Sequence, residues 1–133
     1  MTDEEGMVEL LRKAGYPAKA IDYYLRRLNV GVIDGAEAVD SFTGLCGDSM
    51  KVYLKVDEGI IKDAKFQAIG CAGAFASGSA LTEMIKGKPV TEAIKITEYD
   101  VIEHLEGLPG PKLHCARLSI DALRKSIKGY MKR

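Results

Sequence analysis

Three cysteines, two histidines and a carboxylate two residues after the first cysteine are the groups in this chain best suited to chemistry. An odd number of cysteines cannot pair fully within one chain, and a reducing compartment keeps such thiols free. As thiolates they bind soft metals and attack sulfur. Gly44-Leu45-Cys46-Gly47-Asp48 and Gly70-Cys71-Ala72-Gly73 are turn sequences at the ends of elements. Such places suit a backbone that wraps an ion better than a residue that packs a core, although a lone cysteine is often only a small buried hydrophobe. Cys115 follows Lys112 and His114 in the first turn of the last expected helix. The helix N-terminus and the neighbouring cation both favour thiolate there. His114 reads as a ligand beside Cys115, whereas His104 reads as an exposed helix residue. Adjacent helical residues point about 100° apart, so His114 and Cys115 make a poor nucleophile–base pair.

The elements that must position these groups follow from periodicity. Asp3 to Lys13 is helical, with Met7, Leu10, Leu11 and Ala14 on one face and Gly15 as the stop. Pro17 suits the first position of a second helix through Ala20, Ile21, Tyr24, Leu25 and Leu28. Ala36 to Ser41 is a strand candidate. Met50, Val52, Leu54 and Val56 alternate with polar residues, Asp57-Glu58-Gly59 is a turn, and Ile60 to Ile69 returns with Ala64, Phe66 and Ala68 on one face, a hairpin. Pairing Asp57 with Ile60 puts Cys46 opposite Cys71. A bulge at Gly59, which aligns the apolar faces, leaves the two within one residue of opposition. Opposed residues lie about 4.5–5.5 Å apart, so two thiols and Asp48 converge, and a surface disulfide is geometrically open to the pair although a reducing compartment would not preserve it. Small residues from Gly70 lead into a helix that stops at Gly87, a short turn covers Thr91 to Ile94, and Thr97 caps a helix ending at Gly107. The last helix carries Ala116, Ile120, Leu123, Ile127 and Tyr130. Strands first and helices after them indicate an α+β fold, a small antiparallel three-stranded sheet with helices packed on one face.

The remaining composition narrows the field. The chain has 133 residues, enough for one domain spanning 1–133. Nineteen basic residues balance nineteen acidic ones, leaving no field for a nucleic-acid backbone. The apolar run from Ala68 to Ala76 is too short for a membrane span, and the acidic start resembles no targeting signal, so the expected location is cytoplasmic. Gly70, Gly73 and Gly78 do not form a phosphate loop, and no G-x-S-x-G occurs.

At these residues the sequence resembles the IscU-type iron–sulfur cluster assembly scaffolds, the family that includes the N-terminal domain of NifU. The resemblance rests on Asn29-Val30-Gly31, Cys46-Gly47-Asp48 with Met50-Lys51, Gly70-Cys71, Ala76-Ser77 and Lys112-Leu113-His114-Cys115, and runs from about Tyr23 to Tyr130. It implies an IscU/SufE-like fold and a scaffold, not an enzyme, on which a [2Fe–2S] cluster is assembled from iron and persulfide sulfur and passed to apo-proteins. Cys46, Cys71 and Cys115 would be thiolate ligands, Asp48 or His114 would complete the site, and Cys115 would accept persulfide from a cysteine desulfurase. A ligand weaker than thiolate eases release. Zinc accepts the same donors, so purified protein can carry zinc in place of iron. Frataxin-like and ferredoxin partners follow from the same likeness.

Three departures stand out. Arg26-Arg27-Leu28 replaces Asn-Pro-Arg. The stretch read by an Hsp70 chaperone, Leu-Pro-Pro-Val-Lys, stands as Leu108-Pro109-Gly110-Pro111-Lys112, so the likeness does not extend to that partner. Residues 1–17 are expected to hold a helix without a family counterpart. No C-terminal extension of the multidomain NifU kind is expected. Two other functions are consistent with the same cysteines. One is a zinc-bound sulfur acceptor of the SufU kind, a sulfurtransferase, although the 43 residues between Cys71 and Cys115 leave no room for the insertion such chains carry. The other, ranked last, is a redox-sensing thiol protein.

Overall fold

The computed structural model describes residues 3–133. Its elements in order are α1 (Asp3–Lys13), α2 (Ala18–Arg26), β1 (Ala38–Thr43), β2 (Ser49–Asp57), β3 (Ile60–Ile69), α3 (Ala72–Ile85), α4 (Val90–Ala93), α5 (Glu98–His104), a 3-10 turn (Gly110–Lys112) and α6 (Leu113–Met131). The sheet is antiparallel in the order β1-β2-β3, as the α+β reading requires. Met50, Val52, Leu54, Ala64 and Phe66 line its inner face at 0–1% exposure, while Lys51, Lys55 and Gln67 face water. α3 and α6 cover that inner face, α3 against β3 and α6 against β1 and β2. Ile120, Leu123 and Ile127 of α6 are fully buried, as their spacing predicts.

Gly78 sets how closely α3 approaches the sheet. A methyl group there would stand 2.5 Å from the Phe66 ring, so the helix lies against β3 only because that side chain is missing. The outer edge of β3 is covered, not left open. The Gly31 N–H donates to the Phe66 carbonyl at 2.9 Å, the Phe66 N–H to the Asn29 carbonyl at 3.0 Å, and the Ile61 N–H to the Lys88 carbonyl at 2.9 Å. This satisfies an edge that would otherwise pair with another chain.

Several boundaries and faces differ from the sequence expectation. β1 lies two residues later than Ala36 to Ser41, and Pro17 is the cap before α2, not its first residue. α1, packed on α2, turns Val8 and Leu11 to the core and leaves Met7 and Leu10 exposed. Tyr23, not Tyr24, is the buried tyrosine of α2. The β2–β3 turn has Glu58 and Gly59 both at positive φ, a two-residue loop. The bulge falls instead at Lys62. Val56 opposes Ile61 but Lys55 opposes Asp63, which shifts the register in the direction opposite to a bulge at Gly59. Continued past Ser49 and Ile69, this register sets Gly70 beside Asp48 and Cys71 beside Gly47.

Candidate metal centre

Three chain segments deliver the cysteines to one end of the sheet. Cys46 stands at the tip of the β1–β2 turn, closed by the Gly44 N–H on the Asp48 carbonyl at 2.8 Å and the Gly47 N–H on the Gly44 carbonyl at 3.0 Å. Gly47 has φ +90°, a conformation that explains the glycine after Cys46. Cys71 is the residue preceding α3, with extended backbone. Cys115 lies in the first turn of α6.

Asp48 joins them. Ligand atoms of Asp48, Cys71 and Cys115 lie within 4.8 Å of one another, and so do those of Cys46, Asp48 and His114. The expected convergence of Cys46 directly with Cys71 is therefore not what the fold makes. The two sulfurs belong to different groups that share a carboxylate, because Cys46 has left the strand register by the time the turn begins. Gly70 permits this placement of Asp48, since a methyl group there would stand 2.8 Å from its Oδ2. The inner group is partly to fully buried, and the outer group exposes Cys46 and His114. All three cysteines are free thiols.

Electrostatics divides the inner pair. The Cys71 and Cys115 sulfurs are 3.7 Å apart, close enough for an S–H···S interaction. Burial works against a Cys71 thiolate, but the Ala74 and Gly73 N–H groups, the Cys115 thiol and the Lys112 ammonium outweigh it, and the Cys71 pKa is lowered. Cys115 goes the other way. Burial first, then the neighbouring Cys71 and Asp48 charges, push it up to about 12. The first proton lost by the pair leaves a Cys71 thiolate accepting from the Cys115 thiol. This corrects the expectation of a helix-activated Cys115. Its sulfur is fully buried, and desolvation overrides the dipole and Lys112.

Two further expectations change. The His114 Nε2 lies 3.8 Å from the Cys115 sulfur, so the two neighbours do meet, the imidazole folding back over the helix start. His104 is half-buried and bonds the Tyr23 hydroxyl at 3.0 Å, holding α5 to α2. Sequence pattern alone shows neither Gly70 as the cradle of Asp48 nor Tyr16, a core residue whose hydroxyl faces Cys71 and Cys115. The glycines beside Cys46 and Cys71 are visible in the sequence, but not what each makes room for. Three sulfurs, one carboxylate and one imidazole form a soft donor set with a harder partner, which fits iron–sulfur or zinc chemistry.

Beside the outer group lies a cavity of about 430 Å³, lined in part by Phe42, Leu45, Cys46, His114 and Leu118. Leu45, Ile69 and Leu113, next to the cysteine segments, are exposed. No helix among the described residues is long and apolar enough to cross a membrane.

Comparisons with known proteins show the family. Residues 15–133 match the NifU-like N terminal domain family, a match that takes in Tyr16 and Pro17, within the stretch read above as lacking a counterpart. The chain is 45% identical over 119 residues to the iron-sulfur cluster assembly scaffold protein IscU 1 of Archaeoglobus fulgidus, covering 89% of this chain and 78% of that one. It is 47% identical over 120 residues to the Escherichia coli K12 scaffold protein IscU, covering 86% and 93%. The FiSufU structure from Fervidobacterium islandicum AW-1 superposes with a TM-score of 0.72 at 26% identity, over 84% of this chain and 96% of that one. These relatives are named as scaffolds, not as enzymes. With its fold, its three cysteines around one carboxylate and this likeness over nearly its whole length, the chain belongs to the family of NifU-like N-terminal domains.

Proposed function

We propose that this chain is a scaffold on which a [2Fe–2S] cluster is assembled from iron and desulfurase-derived sulfur, then passed to recipient apo-proteins. One observation carries the reading: Asp48 stands within ligand distance of Cys46 and His114 on one side and of Cys71 and Cys115 on the other. Two overlapping donor groups suit a two-iron cargo better than a single closed tetrahedral site. A carboxylate is a weaker donor to a cluster iron than a thiolate is, which favours release. Cys46, Cys71 and Cys115 are the proposed thiolate ligands, with Asp48 and His114 as the weaker donors.

Sulfur delivery needs an accessible nucleophile. Cys46 is exposed and Cys115 fully buried, which supports Cys46 as the first acceptor in this conformation. Cys115, the acceptor implied by family resemblance, becomes reachable when the inner group opens. In the transfer, an acceptor thiolate attacks the terminal sulfur of the desulfurase cysteine persulfide. A new S–S bond forms on the acceptor, and the desulfurase cysteine leaves as thiolate. Reducing each sulfur to sulfide takes two electrons, which a ferredoxin-class donor supplies; a frataxin-like protein is the proposed partner on the iron side. The exposed Leu45, Ile69 and Leu113 around the centre offer apolar contact to such partners.

The test is transfer itself. Loaded protein mixed with an apo-ferredoxin should pass on its cluster, followed by circular dichroism, and the Asp48→Ala variant should hold its cluster longer. In parallel, mass spectrometry after incubation with a desulfurase maps the persulfide. Tightly held zinc and a transferable persulfide without a transferable cluster would point to a sulfur acceptor of the SufU kind instead.

A further inference from the structure

Tyr16 is 6% exposed, and a buried hydroxyl needs partners. Its backbone is fixed from both sides. α1 ends with Gly15 at φ +101°, with the Gly15 N–H on the Arg12 carbonyl and the Tyr16 N–H on the Leu11 carbonyl, each at 3.0 Å. That is a Schellman end. Pro17 then opens α2. The junction also lies against the loop leading to α6, where a methyl group added to Gly15 would be in van der Waals contact with the Pro109 ring at 3.6 Å. From this anchor the phenol enters the cysteine site. A methyl group on Gly73 would lie 3.1 Å from the Cys115 sulfur, 3.2 Å from the Tyr16 hydroxyl and 3.3 Å from the Lys112 Cβ, so these three groups crowd one point. The hydroxyl faces the Gly73 amide and the Cys71 sulfur as well.

We infer that Tyr16 is a positioning residue of the centre, its hydroxyl donating a hydrogen bond to the Cys71 sulfur while its ring closes the buried side of Cys115. The inference rests on the reading of these cysteines as a metal-binding centre. It gives α1 a task, since the Schellman end of that helix is what aims the phenol. A donor on a ligand sulfur withdraws electron density from it, and such outer partners are worth on the order of 10–100-fold in metal affinity.

Cobalt(II) alone is the probe, added to the full chain and to the Tyr16→Phe and Tyr16→Ala variants. Tyr16→Phe keeps the ring and should keep the fold, checked by far-ultraviolet circular dichroism. It should bind cobalt on the order of tenfold more weakly, with its thiolate-to-cobalt charge-transfer band moved to lower energy. A band and affinity identical to those of the unaltered chain would overturn the inference. In the metal-free proteins, iodoacetamide labelling mapped by mass spectrometry should be severalfold faster at Cys115 in Tyr16→Ala but not in Tyr16→Phe, with Cys46 as the internal reference. If the unaltered chain takes no cobalt on its cysteines, the metal-centre reading itself fails. The labelling then decides alone, and equal Cys115 rates in all three proteins overturn the placement of Tyr16.

Discussion

The division of labour between the two inner cysteines has consequences at the scale of single residues. In metal-free protein, Cys71 should be alkylated at lower pH than Cys115, because its pKa is lowered while that of Cys115 is raised to about 12. The same shift bears on stability. A folded-state pKa above the unfolded value of about 8.5 means that the folded chain holds a proton the unfolded chain releases. Stability from Cys115 is thus full below about pH 8.5 and is lost as pH rises toward 12. Tyr16, pushed up to about 12 mainly by burial and next by the nearby sulfurs, adds a loss over the upper part of that range. The melting temperature of the metal-free protein should therefore fall from pH 8.5 upward, and Cys115→Ala should delay the fall until tyrosine begins to ionise, at about pH 10. A further residue-scale prediction concerns the cradle of Asp48. Gly70→Ala would place a methyl group 2.8 Å from the Asp48 Oδ2 and displace that carboxylate. Zinc affinity, measured by competition with a chromophoric chelator, should fall on the order of tenfold while the fold is kept. Cysteine identity, the paired glycines and Asp48 were all legible in the sequence. Burial was not, and burial reverses the expected acidity of Cys115.

At the scale of elements, the period-two and period-3.6 patterns of β2, β3 and α6 were readable because each buries one face continuously. Boundaries and the bulge were less so. The chain offers glycine at the turn as the evident bulge residue, yet the extra residue is Lys62, next to Ile61, whose N–H and carbonyl pair with Lys88 and Gly87 along the strand's outer edge. That choice is made by tertiary contacts invisible to local pattern. It also decides the site, since the register it sets brings Gly70, and not Cys71, beside Asp48. Two substitutions separate scaffold packing from the site. Gly78→Ala, meeting Phe66 at 2.5 Å, forces α3 off the sheet. It should cost about 1–3 kcal/mol in urea denaturation, and it should weaken zinc binding because α3 carries Cys71 at its start. Thr97→Ala removes the reciprocal Thr97–Asp100 cap of α5. It should cost about 1 kcal/mol and leave zinc binding unchanged.

For the whole molecule, the centre is assembled from positions 46, 48, 71, 114 and 115, which belong to three separate segments packed around one core. A ligand bridging them is bound by the folded chain and not by the unfolded one, so it stabilises the entire domain. Zinc at a hundred times its dissociation constant should add about 2.7 kcal/mol, seen as a raised melting temperature that chelation reverses. The triple Cys46→Ser, Cys71→Ser, Cys115→Ser variant should show no such rise. The central claim is that these three cysteines build one cluster together. Anaerobic reconstitution with iron, cysteine and a desulfurase, read by visible absorption and Mössbauer spectroscopy, tests it most directly. A [2Fe–2S] spectrum is expected in the unaltered chain and its loss in each single cysteine-to-serine variant. A full cluster spectrum that survives the loss of any one of Cys46, Cys71 and Cys115, or iron bound without sulfide in the unaltered chain, would contradict it.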